Sequence, residues 1–244
     1  GNIAVADDEA LRFIDFVVDF NKEFDIDSPK ANKIFLDAKE FLKHTKDSEI
    51  DTPEIRHVKG TLRRGEAKAT CRFVGIPTSQ AHFLNLPFYE TGTVQKNPIG
   101  EADIKIVEDI IEQIKPHQIY AAGDFADPHG THKVCWDAIE AALERSKHKS
   151  FMDDCWVWLY RGAWAEWEIH EIEMAVPMSP NQVLKKRQGI FKHQSQKDGV
   201  VFQGEDAREF WQRAEERNHA TASLYDNLGL AEYEAMEAFV RWKF

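Results

Sequence analysis

The chain has 244 residues, 31 Lys and Arg against 42 Asp and Glu, and a formal net charge of −11. This length is typical of one α/β domain or two smaller ones and allows a sizeable buried core. The negative charge would repel phosphates over most of the surface, which argues against a nucleic-acid-binding protein. The three cysteines form no C-x-x-C pair, so we expect a reduced, cytoplasmic protein.

Membrane association is also not expected. No apolar run approaches the ~20 residues that a membrane-spanning helix needs. The first 25 residues carry several acidic side chains and no basic segment of the kind that opens a signal peptide.

The first third of the chain is predicted to be helical. The spacing of apolar residues predicts helices over residues 7–24 and 31–46, and one or two more over 51–76. In the last of these segments, Thr52 is a candidate N-cap with Pro53 at the first helical position. Gly75 is a candidate C-terminal stop.

The rest of the chain alternates between strand-like and helical patterns. Strands are predicted over 81–88 and 117–123, and in "CWVWLYRG" and "WEIHEIEMAVP". Helices are predicted over 101–115, 133–147, 179–197 and 206–241. Because this alternation is typical of βαβ units, we predict a single α/β domain over residues 1–244 with a mainly parallel sheet.

Two histidines three residues apart follow the second predicted strand, in "GDFADPHGTHKVC" (123–135). With Asp127 as N-cap and Pro128 at the first helical position, His129 and His132 would share one helix face beside the end of the strand. Parallel sheets bind ligands at this edge. By position alone, however, two ordinary polar residues in a turn are the better interpretation.

Three further motifs accompany the histidine pair in a fixed order. "RRGEAKATCRFVGI" contains Arg63 and Glu66 at R-x-x-E spacing, and "LNLPFYETG" leads into the acidic loop residue Glu90. After the histidines comes "KKRQGIFKHQSQ" (185–196). Together these motifs resemble the PIG-L/LmbE-like family of de-N-acetylases, most closely the C-terminal LmbE-like domain of long glucosamine-6-phosphate deaminase-type proteins.

The resemblance implies a Rossmann-like, three-layer α/β fold and a hydrolase that uses zinc or another divalent metal. The expected activity is hydrolysis of a linear amide, which removes the acetyl group from an N-acetylglucosamine-type sugar or its phosphate. His132 would be a metal ligand, and His129 would stabilise the tetrahedral intermediate. Glu90 would pair with His129, although the family typically has Asp there, and Arg63 would contact the substrate.

One expected motif of the family does not occur. No H-P-D is present in the 244 residues, so we expect the first β-α-β unit, two metal ligands and the general base to be missing. Residues 1–244 alone should therefore bind little zinc and be inactive. The alternative is a non-catalytic regulatory or interaction domain of a glucosamine-6-phosphate deaminase.

Aromatic residues offer a candidate sugar-binding surface. Trp164 and Trp167 flank a short turn and could stack on a sugar ring, although core packing is the more common role for tryptophan. The expected partner is a small amino-sugar substrate. The apolar residues of the predicted C-terminal helices are candidates for core packing or for a homo-oligomer surface.

Overall fold

The computed structural model describes residues 5–24, 28–46, 49–89, 97–125, 130–163, 165–196 and 208–243. The chain divides into two compact units. The N-terminal unit comprises Gly1–Pro98 with Lys192–Ser195, and the C-terminal unit comprises Ile99–Phe191 with Gln196–Phe244. The expectation of one domain over residues 1–244 stays a prediction.

Helices build the N-terminal unit. They are α1 (Val5–Phe24), α2 (Ser28–His44) and α3 (Pro53–Val74), followed by a 3-10 turn at Thr78–Gln80. The predicted caps of α3 are confirmed. The Thr52 side chain accepts a hydrogen bond from the backbone N–H of Ile55, and Gly75 ends the helix in the left-handed conformation with φ 92°.

Aromatic packing and two ion pairs hold this unit together. Phe20 is buried, and its ring lies 4.5 Å from that of Phe35 between ring centroids. Helix α1 is joined to α3 where Lys68 donates to Asp19 at 2.6 Å and Arg72 donates to Asp15 at 2.6 Å.

Much of the apolar side of α1 is exposed. Phe13 is 69% exposed, and Ile14 and Val18 also face outward from the unit with more than half of their surface exposed. The apolar stripe expected for this helix is therefore only partly buried within the described residues.

In its described residues, the C-terminal unit combines a sheet with four helices. Its strands are β1 (Gln118–Ala122), β2 (Trp156–Tyr160), β3 (Met174–Met178) and β4 (Ala235–Trp242). Its helices are α4 (Glu101–Ile114), α5 (Thr131–Ser146), α6 (Pro180–Ile190) and α7 (Phe210–Asn227), with a 3-10 turn at Ser150–Met152.

The four strands lie in the order β1-β2-β4-β3. Strand β1 pairs parallel with β2, with Tyr120 opposite Trp158. Strand β4 pairs antiparallel with both β2 and β3. The prediction of a mainly parallel sheet is therefore wrong for the described strands, since only one of the three pairings is parallel. The fold is mixed α/β, and the Rossmann-like three-layer arrangement stays a prediction.

Two further segment predictions are wrong. Residues 81–88 form no strand, because Asn85 has a positive φ of 51° and Pro87 lacks a backbone N–H for a ladder. The helix predicted over 206–241 is α7 followed by strand β4. Glu, Met and Ala favour helix in this last segment, but pairing with two neighbouring strands outweighs that local preference.

Side chains of the sheet form the core of the C-terminal unit, and Ala121, Val157, Leu159 and Ala238 are all buried. Helix α5 contributes Trp136, which is also buried and lies 5.0 Å from the Trp242 ring between centroids. Burial of this apolar surface is the main stabilising term of the unit.

A largely buried ion network joins α6, α7 and β4. Glu237 accepts from Lys186 and from Arg217, and Arg217 also donates to Glu166 at 2.7 Å. Burial lowers the pKa of Lys186, and the charge of Glu237 only partly opposes this effect. Burial raises the pKa of Glu237, but the positive charges of Lys186 and Arg217 outweigh it and lower the pKa overall.

None of the helices in the described parts of the chain combines the length and the apolar character that crossing a bilayer requires.

Candidate functional site

The sequence analysis named six candidate site residues, of which Arg63, His132 and Trp167 are described. Arg63 lies in α3 of the N-terminal unit, and His132 lies in α5 of the C-terminal unit. Glu90, His129 and Trp164 lie outside the described residues. The expected grouping of these side chains stays a prediction.

His132 is the second residue of α5 and is half-buried. The N-cap of α5 is Gly130, which has a positive φ of 66°. The N-cap expected at Asp127 lies outside the described residues. The expected position of His132 in the first turn, following a strand of a parallel pair, is confirmed.

Polar side chains gather where the parallel strands β1 and β2 end. Asp124 comes two residues after β1, and Arg161 directly follows β2. The Arg161 Nη1 donates to the carbonyl oxygen of Gly123 at 2.9 Å and lies 4.0 Å from Asp124 Oδ1. The backbone N–H of Gly123 donates to the Tyr160 carbonyl at 2.8 Å, which extends the ladder between the strands.

Trp167 completes this cluster. The Arg161 guanidinium carbon lies 3.8 Å from the centroid of the Trp167 ring, a cation–π contact. A Cβ atom at Gly123 would lie 2.9 Å from Leu159 Cβ and 2.9 Å from Trp167 Cζ2. Glycine is therefore required for the indole to approach the end of β1 this closely.

Several polar atoms of this strand-end cluster have no hydrogen-bond partner among the described residues. They are both carboxylate oxygens of Asp124, Nε of Arg161 and Nε1 of Trp167. Asp124 is 0% exposed. Buried polar groups in native proteins are usually hydrogen-bonded, so a group of orphaned atoms at a strand-end edge marks a candidate binding site.

In the N-terminal unit, two motifs of the sequence analysis meet. The buried Glu66 carboxylate accepts from the backbone N–H of Ser195 at 2.7 Å and from its hydroxyl at 2.8 Å. Nε2 of His193 lies 3.1 Å from the Thr70 hydroxyl. Helix α3, which carries the R-x-x-E motif, is therefore in direct contact with residues 193–196, the H-x-S-Q segment.

The environment of His193 disfavours its charged form. Burial lowers the pKa of the imidazole, and Arg12 lowers it further, while Glu66 acts in the opposite direction. The contacts of this segment are internal to the unit, so a structural role accounts for Glu66 and His193.

The adjacent arginines Arg63 and Arg64 are in different environments. Arg64 Nη2 donates to Asn85 Oδ1 at 2.8 Å, so this guanidinium already has a hydrogen-bond partner within the protein. Arg63 is half-buried and forms no hydrogen bond or ion pair with another described residue. This difference is consistent with the choice of Arg63 over Arg64 as the substrate-contacting residue.

The described residues do not by themselves suit a zinc ion. Within the described ranges, no group of three or more His, Cys, Asp or Glu side chains could hold a metal. A catalytic zinc usually has three protein ligands, and His132 alone supplies one. No catalytic step is therefore derived through a metal.

Sequence reasoning missed Asp124 and Arg161. A signal was present, because each residue closely follows an apolar strand, and the ends of parallel strands meet at one edge of a sheet. The pairing of β1 with β2, which brings these two ends together, is a property of the tertiary structure.

Comparison with known proteins gives a close relative. No family model matches the chain. The chain is 53% identical over 245 aligned residues, covering 99% of its length, to a protein of Bacteroides thetaiotaomicron that is named glucosamine-6-phosphate deaminase-like. The chain spans 37% of that relative's length.

Among solved structures, the chain has a weak structural similarity to a triple mutant of a deacetylase involved in the teicoplanin biosynthetic pathway. The TM-score is 0.43 at 15% sequence identity, over 77% of this chain and 73% of that one. A likeness at this level assigns neither fold nor function.

Proposed function

We propose that this chain is a hydrolase domain that removes the acetyl group from N-acetylglucosamine or its phosphate, within amino-sugar metabolism. The 53% identity to a protein named glucosamine-6-phosphate deaminase-like supports the amino-sugar part of this proposal. The order of motifs that resembles the PIG-L/LmbE-like de-N-acetylases adds the reaction type.

The reaction is hydrolysis of an amide. Water attacks the carbonyl carbon, the C–N bond breaks, and the released amine takes up a proton. We assign stabilisation of the oxyanion and protonation of the amine to His129, held by Glu90. Arg63 and Trp164 are assigned to sugar contacts, and His132 to zinc or another divalent metal.

The test measures acetate release from N-acetylglucosamine and its 6-phosphate by the complete gene product, with zinc added. We expect acetate release, and we expect His132→Ala to abolish both acetate release and zinc binding. His117→Ala is the control, because His117 is exposed and should be dispensable.

Two outcomes would contradict this proposal. If no acetate is released from either sugar, the hydrolase assignment is rejected. If zinc content and activity survive in His132→Ala, the metal assignment is rejected.

The alternative is a regulatory or interaction domain without hydrolytic activity. The name of the Bacteroides relative is the observation that favours it. A gene product that deaminates glucosamine 6-phosphate, releases no acetate, and changes its deamination rate when residues 1–244 are deleted would support this alternative.

A further inference from the structure

We propose that Asp124, Arg161 and Trp167 form a subsite that binds neutral hydroxyl groups of a sugar ring. The subsite lies in the C-terminal unit, at the carboxyl ends of β1 and β2. The inference rests on the proposed function only for the choice of sugar.

Asp124 provides the hydrogen-bond acceptors. Its side chain is fully buried, and neither carboxylate oxygen accepts a hydrogen bond from any described residue. The nearest positive group, Nη1 of Arg161, is 4.0 Å away, which is beyond hydrogen-bond distance. A buried carboxylate that lacks donors is strongly disfavoured, so donors from a bound molecule would be stabilising.

Arg161 and Trp167 provide the donors. Nε of Arg161 and Nε1 of Trp167 are buried, and neither has an acceptor within the described part of the chain. The guanidinium is held by its bond to the Gly123 carbonyl and by its stack on the indole, so these donors are already oriented. The Arg161 side chain is 18% exposed, so the cluster lies close to the protein surface.

This combination selects hydroxyl groups over ions. A hydroxyl both donates and accepts, so neighbouring sugar hydroxyls can donate to Asp124 and accept from Arg161 or Trp167. A phosphate would bring its negative charge towards Asp124, and an ammonium group would bring its positive charge towards Arg161. The indole adds an apolar surface for the C–H groups of the ring.

The backbone around the cluster restricts the positions that the Asp124 and Trp167 side chains can take. A Cβ atom at Gly162 would lie 3.1 Å from Asp124 Oδ2, so the chain that leaves β2 passes close to the carboxylate. This close approach, with that of Gly123 to the indole, fixes Asp124 and Trp167 relative to the two strand ends.

The experiment follows the indole N–H of Trp167 by nitrogen-15 NMR of the complete gene product during titration with N-acetylglucosamine, without added metal. The resonance is assigned as the one missing from Trp167→Phe. We expect a saturable shift in the wild type. Asp124→Asn should weaken the affinity about tenfold or more, because it removes hydrogen bonds to a charged acceptor.

Asp103→Asn is the matched control. Asp103 is also buried in the C-terminal unit, but its carboxylate accepts from the backbone N–H of Gly100 at 2.8 Å. This variant should bind the sugar as the wild type does.

Three results would overturn the proposal: no saturable shift in the wild type, unchanged affinity in folded Asp124→Asn, or inorganic phosphate that shifts the same resonance with equal affinity. If Asp124→Asn does not fold, calorimetric titration of Trp167→Phe replaces it. That variant keeps an aromatic ring but loses the donor, so unchanged affinity would again contradict the subsite.

The outcomes also separate this subsite from the proposed hydrolase. Binding that depends on Asp124 in a protein that releases no acetate keeps the subsite and rejects the hydrolase. Acetate release with sugar binding that is unaffected by Asp124→Asn keeps the hydrolase and rejects the subsite.

Discussion

Individual side chains connect segments that are far apart in the sequence. Glu66 receives both the backbone N–H and the hydroxyl of Ser195, 129 residues later. Lys192 likewise donates to Asp8 at 2.8 Å, across 184 residues. Residues 192–195 therefore join this late segment of the chain to helices α1 and α3.

A substitution of Glu66 should release this segment. Glu66→Met removes the acceptor, and we expect the Ser195 amide proton to exchange with solvent about tenfold faster, since bonds to charged acceptors contribute about 1.5–3 kcal/mol. Hydrogen exchange by NMR is the measurement. Glu66→Gln keeps one acceptor oxygen and should show a smaller effect. Equal exchange rates of the Ser195 amide in both variants would contradict the proposed role of the Glu66 carboxylate.

His193 should make stability depend on pH. Its pKa in the folded state is lowered by burial from the ordinary value of 6.5, so the unfolded chain binds the proton more readily. Stability is then fully present above pH 6.5 and decreases as the pH falls below this value. Urea unfolding at several pH values should show a weaker decrease in His193→Gln, whereas His82→Gln, at an exposed position, should behave as the wild type.

At the scale of elements, α3 shows how local sequence specifies a helix. Thr52, Pro53 and Gly75 are residues that favour helix ends for steric and hydrogen-bonding reasons, and all three occupy the predicted positions. The strand predicted over 81–88 does not form, because Asn85 and Pro87, which favour turns, interrupt its apolar pattern.

Two glycines, one inside α3 and one at its end, should respond oppositely to alanine. Gly75 has a φ of 92°, and no neighbouring atom lies within 4 Å of where a Cβ would be, so Gly75→Ala should cost about 1 kcal/mol through backbone strain alone. At Gly65, inside the helix, a Cβ would lie 3.9 Å from its nearest atom, the Arg12 carbonyl oxygen. Gly65→Ala should therefore stabilise by about 0.5–1 kcal/mol. Urea unfolding of both variants checks this, and changes of the same sign would contradict it.

The ion network between α6, α7 and β4 should be sensitive to loss of its central cation. The Arg217 side chain is 7% exposed and contacts Glu166 and Glu237. Arg217→Met removes a partner from two largely buried carboxylates, and we expect a loss of about 3 kcal/mol in the free energy of unfolding. Arg208→Met is the control, because Arg208 is 46% exposed and its pair with Glu216 should contribute less than about 1 kcal/mol.

For the whole molecule, charge is the property that sequence alone supplies. At a net charge of −11, non-specific affinity for DNA should be weaker than about 10⁻⁴ M near physiological salt. Fluorescence anisotropy with a labelled DNA duplex measures this affinity. Micromolar binding would show that a local basic surface dominates over the net charge.

Local sequence was enough to predict the helices α1 to α5, the caps of α3, strand β1, and the place of His132 in the first turn of a helix. These features follow from apolar spacing and from the preferences of single residues, which act over a few positions. The motif order also singled out Glu66 and the H-x-S-Q segment, although not their contact.

Long-range contacts set the direction of the strands, the strand identity of residues 235–242, and the assembly of Asp124, Arg161 and Trp167. The physical reason is that strand pairing depends on partners distant in sequence, and local preference cannot choose among them. Asp124 and Arg161 become neighbours because β1 and β2 run parallel, so their ends meet at one edge of the sheet.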